Sequence, residues 1–383
     1  MSFPFVSSKE HDLVLSIGSG SGSVYGAIVE FQKSVHPNIL FTHESKFPIK
    51  KTVTAESLTS HMLGSLHTVV TELGKKHKRK IRTVHIVFAS PWFSSTSKYL
   101  SIKKPEEFEV TEKMVEKLTE EYVQKIAEYA TLTKSVIIEK TLSDIKLNGY
   151  EVKEPYGKTA KTIDVSVYVS TAPEEINKKI ESEIYPIIHP NSIQFHTFPF
   201  VAQNVTRALF SPKDDFALID IGSEISDVLI IRRGSIYSLA SFPVGCNHLA
   251  RNVAIHLETE PELASSMIGL YAKDAANEEV AEKIKKLVLA FGEEWGMAFS
   301  SSVNQNDNLL NHFIPQRAYF ASNPNTLKIF NDIIGKQIPN VTPLSRESLS
   351  QFVRFDSNEP PNVFMIIEAI YLSAHFLEKN TVK

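Results

Sequence analysis

Residues 216–231 restrict the fold more than any other stretch of the chain. An apolar run from Phe216 ends at Asp220, a turn follows around Gly222, and a second apolar run resumes after Asp227 and ends at Ile231. Two short buried strands joined by a tight turn read this way. A glycine at the turn lets other atoms come close to the backbone above it, and a carboxylate beside it can hold a hydrated cation or a water. The layout serves phosphate binding and points to a nucleotide-binding ancestry.

At 383 residues the chain exceeds what one ordinary core organises, so two or more subdomains are expected. A formal net charge of -3 gives no general reason to expect nucleic acid or an anionic membrane surface as partner. The basic run from Lys75 to Lys80, with Arg82, lies between a predicted helix and a predicted strand. It has no interleaved aromatics and reads as a solvated loop. Cys246 is the only cysteine, which rules out an intrachain disulfide and a cysteine-built metal cluster and fits a reducing cytoplasm. The thirteen histidines, among them His36, His43, His61, His67, His77 and His85, show no metal spacing. Met1 to Asp12 lacks a signal-peptide pattern, no apolar run reaches the length of a membrane span, and Leu377 to Lys383 is too short and polar for an amphipathic anchor. The alternation of Gly and Ser from Gly18 to Gly22 matches a nucleophile elbow by composition only, because no strand-to-helix junction carries it.

Strand patterns fall at 12–17, 24–31, 39–49, 83–89, 98–103, 136–142, 162–170 and 193–195, then at 216–231, 234–243 and 317–321. Helical spacing marks 55–73, 111–131, 172–185, 200–209, 247–258, 261–271, 278–299, 325–334 and 363–376. A glycine turn between strands thus occurs near residue 18 and again near residue 222, each followed by strand and helix. Two related halves facing a cleft account for this. Phe88, Trp92 and Phe93 around Pro91 read as core.

In this arrangement the chain resembles the FtsA/PilM branch of the actin-like ATPase superfamily. Residues 216–231 resemble the family's second phosphate loop, Asp-x-Gly-Gly-Gly-Thr-x-Asp, and Ser241 to Leu249, with Gly245 before a helix, resembles the segment that follows it. Asn148, Gly149 and Tyr150 with Pro155 and Gly157, then Ile163 to Ser170, look like the small inserted subdomain of this branch. The resemblance implies a duplicated, ribonuclease H-like α/β fold in two domains with a small inserted α+β (SHS2-type) subdomain. The first actin-like part would cover 1–85, the insert 86–172, and the remainder of the fold, with the second phosphate-loop half, 173–383. It implies a bacterial cytoplasmic scaffold acting in cell division, with pilus assembly and a working ATPase of the same fold as alternatives. Protein partners, self-polymerisation and contact with the inner face of the membrane only through a partner belong to that picture, and nucleic acid does not.

Carried onto this chain, the nucleotide positions are Gly18, Ser19, Gly20, Asp220, Gly222, Ser223, Asp227, Gly245 and Ser322, with Asp220 on Mg; no catalytic residue is assigned. Several positions depart from the family pattern. The first-loop Asp falls at Ser16, or at Gly18 under a shifted alignment, and neither is a carboxylate. Ser223 and Glu224 stand for two glycines, and a carboxylate beside a triphosphate repels it. Ser322 and Asn323 stand for the adenine-side Gly-Gly, followed by the stiff Pro324. Ala369, Ile370 and Tyr371 lie where relatives often carry a glycine. The expectation is a scaffold whose ATP/Mg binding is weak or lost.

Overall fold

The computed structural model describes residues 12–32, 35–76, 79–211, 214–232, 234–305, 313–356 and 360–381. The first eleven residues, His77 and Lys78 of the basic run, and Val382 and Lys383 lie outside these.

Strands β1 (Asp12–Ser19), β2 (Ser23–Phe31) and β3 (Asn38–Lys46) form an antiparallel meander, and helix α1 (Ala55–Lys76) crosses over to β4 (Thr83–Phe88), parallel to β1. The chain then builds a separate sheet from β5 (Ser94–Glu109), β6 (Ser135–Leu147), β7 (Tyr150–Glu151) and β8 (Thr159–Pro173), with helix α2 (Glu112–Leu132) against it. Helix α3 (Glu174–Ile188) leads back to β9 (Ser192–Thr197), parallel to β4, and α4 (Phe198–Phe210) follows.

The second lobe repeats the plan. Strands β10 (Phe216–Ile221), β11 (Ser226–Arg232) and β12 (Ser235–Phe242) form a meander. Helices α5 (Cys246–His256), α6 (Pro261–Ala272) and α7 (Glu278–Gln305) precede β13 (Arg317–Ala321), parallel to β10. Helix α8 (Leu327–Gly335) leads to β14 (Asn340–Pro343), parallel to β13. After the single turn α9 (Arg346–Leu349), β15 (Arg354–Phe355) returns to pair with β3, and α10 (Val363–Thr381) closes the described chain.

The sheet orders are β15-β3-β2-β1-β4-β9 and β12-β11-β10-β13-β14. Leaving β15 aside, both place the first hairpin at the centre with the same parallel or antiparallel sense at each step. The expected duplicated α/β fold is present, and the small third sheet enters between β4 and α3.

Burial explains the unbroken apolar runs. Along β10, Ala217, Ile219 and Ile221 face the core under α5, α7 and α8, while Phe216 and Leu218 face a central layer. Along β1, Leu13, Leu15 and Ile17 face α1 and α3, and Val14 faces that same central layer. The layer consists of α4 (Phe198, Phe200, Val201, Val205) and α10 (Ile366, Ile367, Tyr371), shared by both sheets. A strand covered on both faces has apolar residues at every step, not at alternate ones. The polar residues that occur within these runs, Ser16 and Asp220, are therefore exceptional.

Several expected boundaries move. The strand expected at 98–103 runs from Ser94 to Glu109, because it pairs with β8 along most of its length while its side chains stay largely exposed and show no apolar period. The helix expected from Ala172 begins at Glu174: β8 continues through Pro173, which serves as the N-cap residue. Strand β14, helix α9 and strand β15 were not expected, being two to four residues each and too short to carry a period.

The third sheet joins the first lobe through a buried polar chain. Thr197 Oγ1 donates to Glu139 Oε2 (2.9 Å), His196 Nδ1 lies 3.3 Å from Glu139 Oε1, and His196 Nε2 lies 2.9 Å from His85 Nδ1. Beside it a groove of about 610 Å³ opens between β6, α3 and β9. Histidines that the sequence scatters are thus partners in space, although among the described residues no group of three or more metal-type ligands could hold an ion. Glu139→Ala leaves a buried hydroxyl and an imidazole short of a partner, which costs about 1–3 kcal/mol. The expected outcome is a lower urea midpoint, with protease cuts appearing first at the junction near residues 134 and 174.

Candidate functional site

The hairpin register sets what the cleft contains. Asp220 lies two residues before the turn glycine Gly222, as Gly18 lies two before Gly20, and Ser16 stands two residues further back on the strand face turned to α4 and α10. Tyr25 is the cross-strand partner of Gly18, and a Cβ on Gly18 would lie 2.1 Å from the Tyr25 ring. The space above Gly18 is therefore filled by Tyr25, which also stacks on Phe364 (ring centroids 5.9 Å apart).

The carboxylate absent from β1 comes from α10. Ser16 Oγ donates to Glu368 Oε2 (2.6 Å) and Tyr25 OH donates to Glu368 Oε1 (2.9 Å). Burial pushes the Glu368 carboxyl up to about 8 in spite of these two bonds. Tyr25 is held well above its usual range by its own burial and then by the Glu368 charge.

In the second hairpin Asp220 and Asp227 face each other across the ladder. Asp227 accepts from Ser90 Oγ (2.7 Å) and from Ser241 Oγ. Burial raises its pKa, and those hydroxyls offset part of the rise. Asp220 Oδ1 is buried without a hydrogen-bond partner. Burial first, and the Asp227 charge second, push its carboxyl well above the ordinary range. Of the two, Asp220 is pushed further toward its neutral form.

The two turns meet directly. Glu224 N–H donates to Ser21 Oγ (2.9 Å), and a Cβ on Gly22 would fall 1.9 Å from Ser223 Oγ. Gly222 N–H is bonded to Ile225 O (3.0 Å) and Gly20 N–H to Ser23 O (3.1 Å). Gly245, at the N-cap of α5, packs against the turn: a Cβ there would lie 2.5 Å from the carbonyl oxygens of Gly222 and Ser223. Cys246 N–H and Asn247 N–H donate to those same two oxygens, at 3.0 and 2.8 Å.

Glu224 adds a lateral clamp. Arg251 reaches it with Nη1 to Oε1 at 3.1 Å and Nη2 to Oε2 at 2.7 Å, and Asn247 Nδ2 donates to Oε1 at 2.7 Å. Across the lobes, Arg251 Nη1 also meets Lys50 O (3.4 Å), and Ile49 N–H donates to Glu262 Oε1 (3.0 Å). The Ile49 side chain packs on the second-lobe core.

Of the positions expected to contact nucleotide, Gly20, Asp220, Gly222, Ser223 and Ser322 line one cavity of about 400 Å³, with Cys246 beside them. It extends past Asn323 and Arg346 to Phe364. Gly18, Ser19, Asp227 and Gly245 do not line it: Gly18 lies under Tyr25, Ser19 is buried with its hydroxyl unpartnered, Asp227 is held by two serines, and Gly245 backs the turn. Ser322 Oγ is 3.0 Å from Thr326 Oγ1, and Cys246 Sγ lies 3.4 Å from that same oxygen.

Tyr25, Glu368 and Arg251 were missed by sequence reasoning. Two signals existed. Tyr25 follows from pairing the first hairpin about its turn, and Glu368 is the one charged residue within the apolar run Val363 to Leu372. Nothing in the spacing of Glu224 and Arg251 pairs them.

Residues 217–373 match the family described as cell division protein FtsA. No curated protein matches the chain by sequence. Among solved structures the chain is similar to the "PilM-PilN type IV pilus biogenesis complex", with TM-score 0.64 and 13% identity over 95% of this chain and 98% of that one. More distant are ethanolamine utilization protein EutJ from Carboxydothermus hydrogenoformans (TM-score 0.47, 10% identity, 94% and 90% covered) and a nucleotide-free diol dehydratase-reactivating factor (0.49, 10%, 95% and 100%). The protein is FtsA/PilM-like and has the fold of the actin-like ATPases.

Two measurements check this geometry. Glu368 binds its proton more tightly folded (about 8) than its ordinary 4.5 allows, so it contributes stability that is complete below pH 4.5 and lost as pH rises toward 8. Asp220, raised in the same sense, adds to that slope. In Glu368→Gln the urea midpoint is expected to fall less than in the wild type over this window; parallel profiles would refute the assignment. Gly22→Ala must force the Ser223 side chain away from the turn, an overpacking of about 1–3 kcal/mol read as a lower melting midpoint.

Proposed function

We propose that this chain is a non-cycling scaffold: an FtsA/PilM-like adaptor whose interlobe cleft is closed by its own turns and does not turn over ATP. The observation that carries this reading is the direct contact of the two hairpin turns, Ser21 and Gly22 against Ser223 and Glu224. In a phosphate-gripping pair of turns, backbone N–H groups are left for the anion. Here the Gly20, Gly222 and Glu224 N–H groups are bonded within the protein, and a carboxylate lies between the turns and Arg251.

The residues present do not fit a magnesium triphosphate. Ser16 is committed to Glu368, and Asp227 to Ser90 and Ser241. Asp220 Oδ1 has no hydrogen-bond partner, and burial favours its neutral form. A carboxyl whose burial favours the neutral form is a poor seat for a divalent cation, which wants several oxygen ligands.

A scaffold needs a rigid body with surfaces for partners. The segment likeness to FtsA and the whole-chain likeness to a protein in a PilM–PilN complex support protein partners in a division or pilus machinery. We read the third sheet with α2 as the SHS2-type insert of that branch. Attachment to the inner face of the bacterial membrane through a partner, and self-assembly, belong to the same reading. Among the described residues no helix is long and apolar enough to cross a membrane.

Thermal melting with Mg·ATP tests the closed cleft. A ligand at a hundred times its dissociation constant adds about 2.7 kcal/mol. The wild-type midpoint is expected to stay where it is, and pelleting of the protein to be the same with and without nucleotide. The runner-up is nucleotide binding in the cavity of about 400 Å³, favoured by the unpartnered oxygen of Asp220. A clear rise in midpoint that disappears in Asp220→Ala would replace the scaffold reading with that one.

A further inference from the structure

The clamp around Glu224 has the composition of an oxyanion site that already holds its anion. Both guanidinium nitrogens of Arg251 meet the two carboxylate oxygens in the bidentate manner that also suits phosphate. Asn247 adds a third donor, its side-chain Nδ2, at 2.7 Å. The site is enclosed: the Arg251 side chain is 16% exposed and that of Glu224 11%. A pair so little exposed is not a surface ion pair of negligible consequence, because removing one partner leaves the other charge without compensation.

The position of the site matters as much as its chemistry. Glu224 sits in the turn between β10 and β11, and its own N–H bonds to Ser21 of the opposing turn. The carboxylate that fills the site is therefore the side chain of the residue that joins the two turns. Arg251 is in addition bonded to the Lys50 carbonyl of the first lobe. One residue thus links an anion seat to the closure of the cleft.

We propose that Glu224 is a tethered anion: its carboxylate occupies an oxyanion-binding site formed by the Arg251 and Asn247 side chains, and a phosphate-type oxyanion takes this site when the carboxylate is removed. The proposal rests on the closed-cleft reading above and goes further, naming what closes it. Inorganic phosphate is the probe, since it carries the oxyanion without a base or sugar.

The test compares the wild type, Glu224→Ala, Glu224→Gln and the double variant Glu224→Ala with Arg251→Ala. Melting midpoints are read in phosphate and in chloride at equal ionic strength, with calorimetric titration of phosphate in parallel. Glu224→Ala is expected to melt lower than the wild type in chloride and to regain several degrees in phosphate, while the wild type and the double variant show no phosphate-specific rise. Glu224→Gln keeps the shape of the side chain and its contact with Asn247, so it folds even where the alanine variant does not. With Arg251 left uncompensated, its midpoint is expected to rise with phosphate more than that of the wild type. No phosphate response in either single variant overturns the proposal, as does an equal response in the double variant. These outcomes are separate from the Mg·ATP experiment, because wild-type binding of ATP would refute the closed cleft without moving the variants' dependence on phosphate.

Discussion

The two sheets share one apolar layer, the pair of helices α4 and α10 packed between them, and the rest of the molecule follows from that sharing. Both hairpins turn one face toward this layer, so any polar side chain on that face must find its partner inside the protein. Ser16 finds Glu368, Glu368 finds Tyr25, and Asp227 finds Ser90 and Ser241. Asp220 has one oxygen left over and escapes the desolvation penalty by favouring its neutral form.

The glycines of the cleft take their meaning from the same packing. A glycine in a turn lets something approach closely, and the sequence does not say what. Over Gly18 it is a tyrosine ring, beside Gly22 a serine of the opposite turn, and against Gly245 two carbonyl oxygens. Each is a protein group, and of the three the contact of Gly22 with Ser223 is the one that joins the lobes. Glu224 extends the contact sideways to Arg251 and, through it, to the backbone of Lys50. The lobes have here the means to come together around their own side chains.

Much of the fold was legible because its strands are covered on both faces. The hairpin at 216–231 and its counterpart near residue 18 stood out as short apolar runs about a glycine, and their repetition foretold the duplicated sheet order. The exposed edge strand β5 was read too short, since a strand with mostly solvated side chains has no apolar period to read. Strands β14 and β15 owe their existence to neighbours already in place. Of the candidate positions, Asp220, Gly222 and Ser322 line one cavity, and Glu224 was singled out as foreign to a phosphate loop. Its partner Arg251 was not, because the chain between them passes through two strands, β11 and β12, and a helix start whose path local sequence does not encode.

What the sequence by itself determined is the set of elements and their duplication: apolar period, turn glycines and helix spacing are local properties, and local properties survive in a one-dimensional reading. What only the tertiary structure decided is the state of the cleft. Whether a glycine turn is open to an anion or closed on a serine depends on which chain segment arrives above it. Residues separated by about two hundred positions, such as Ser21 and Glu224, or by more than three hundred, such as Ser16 and Glu368, settle that. The burial that shifts Glu368 and Asp220 is likewise a property of the assembled core, since an isolated carboxylate in water has no reason to hold its proton near neutrality.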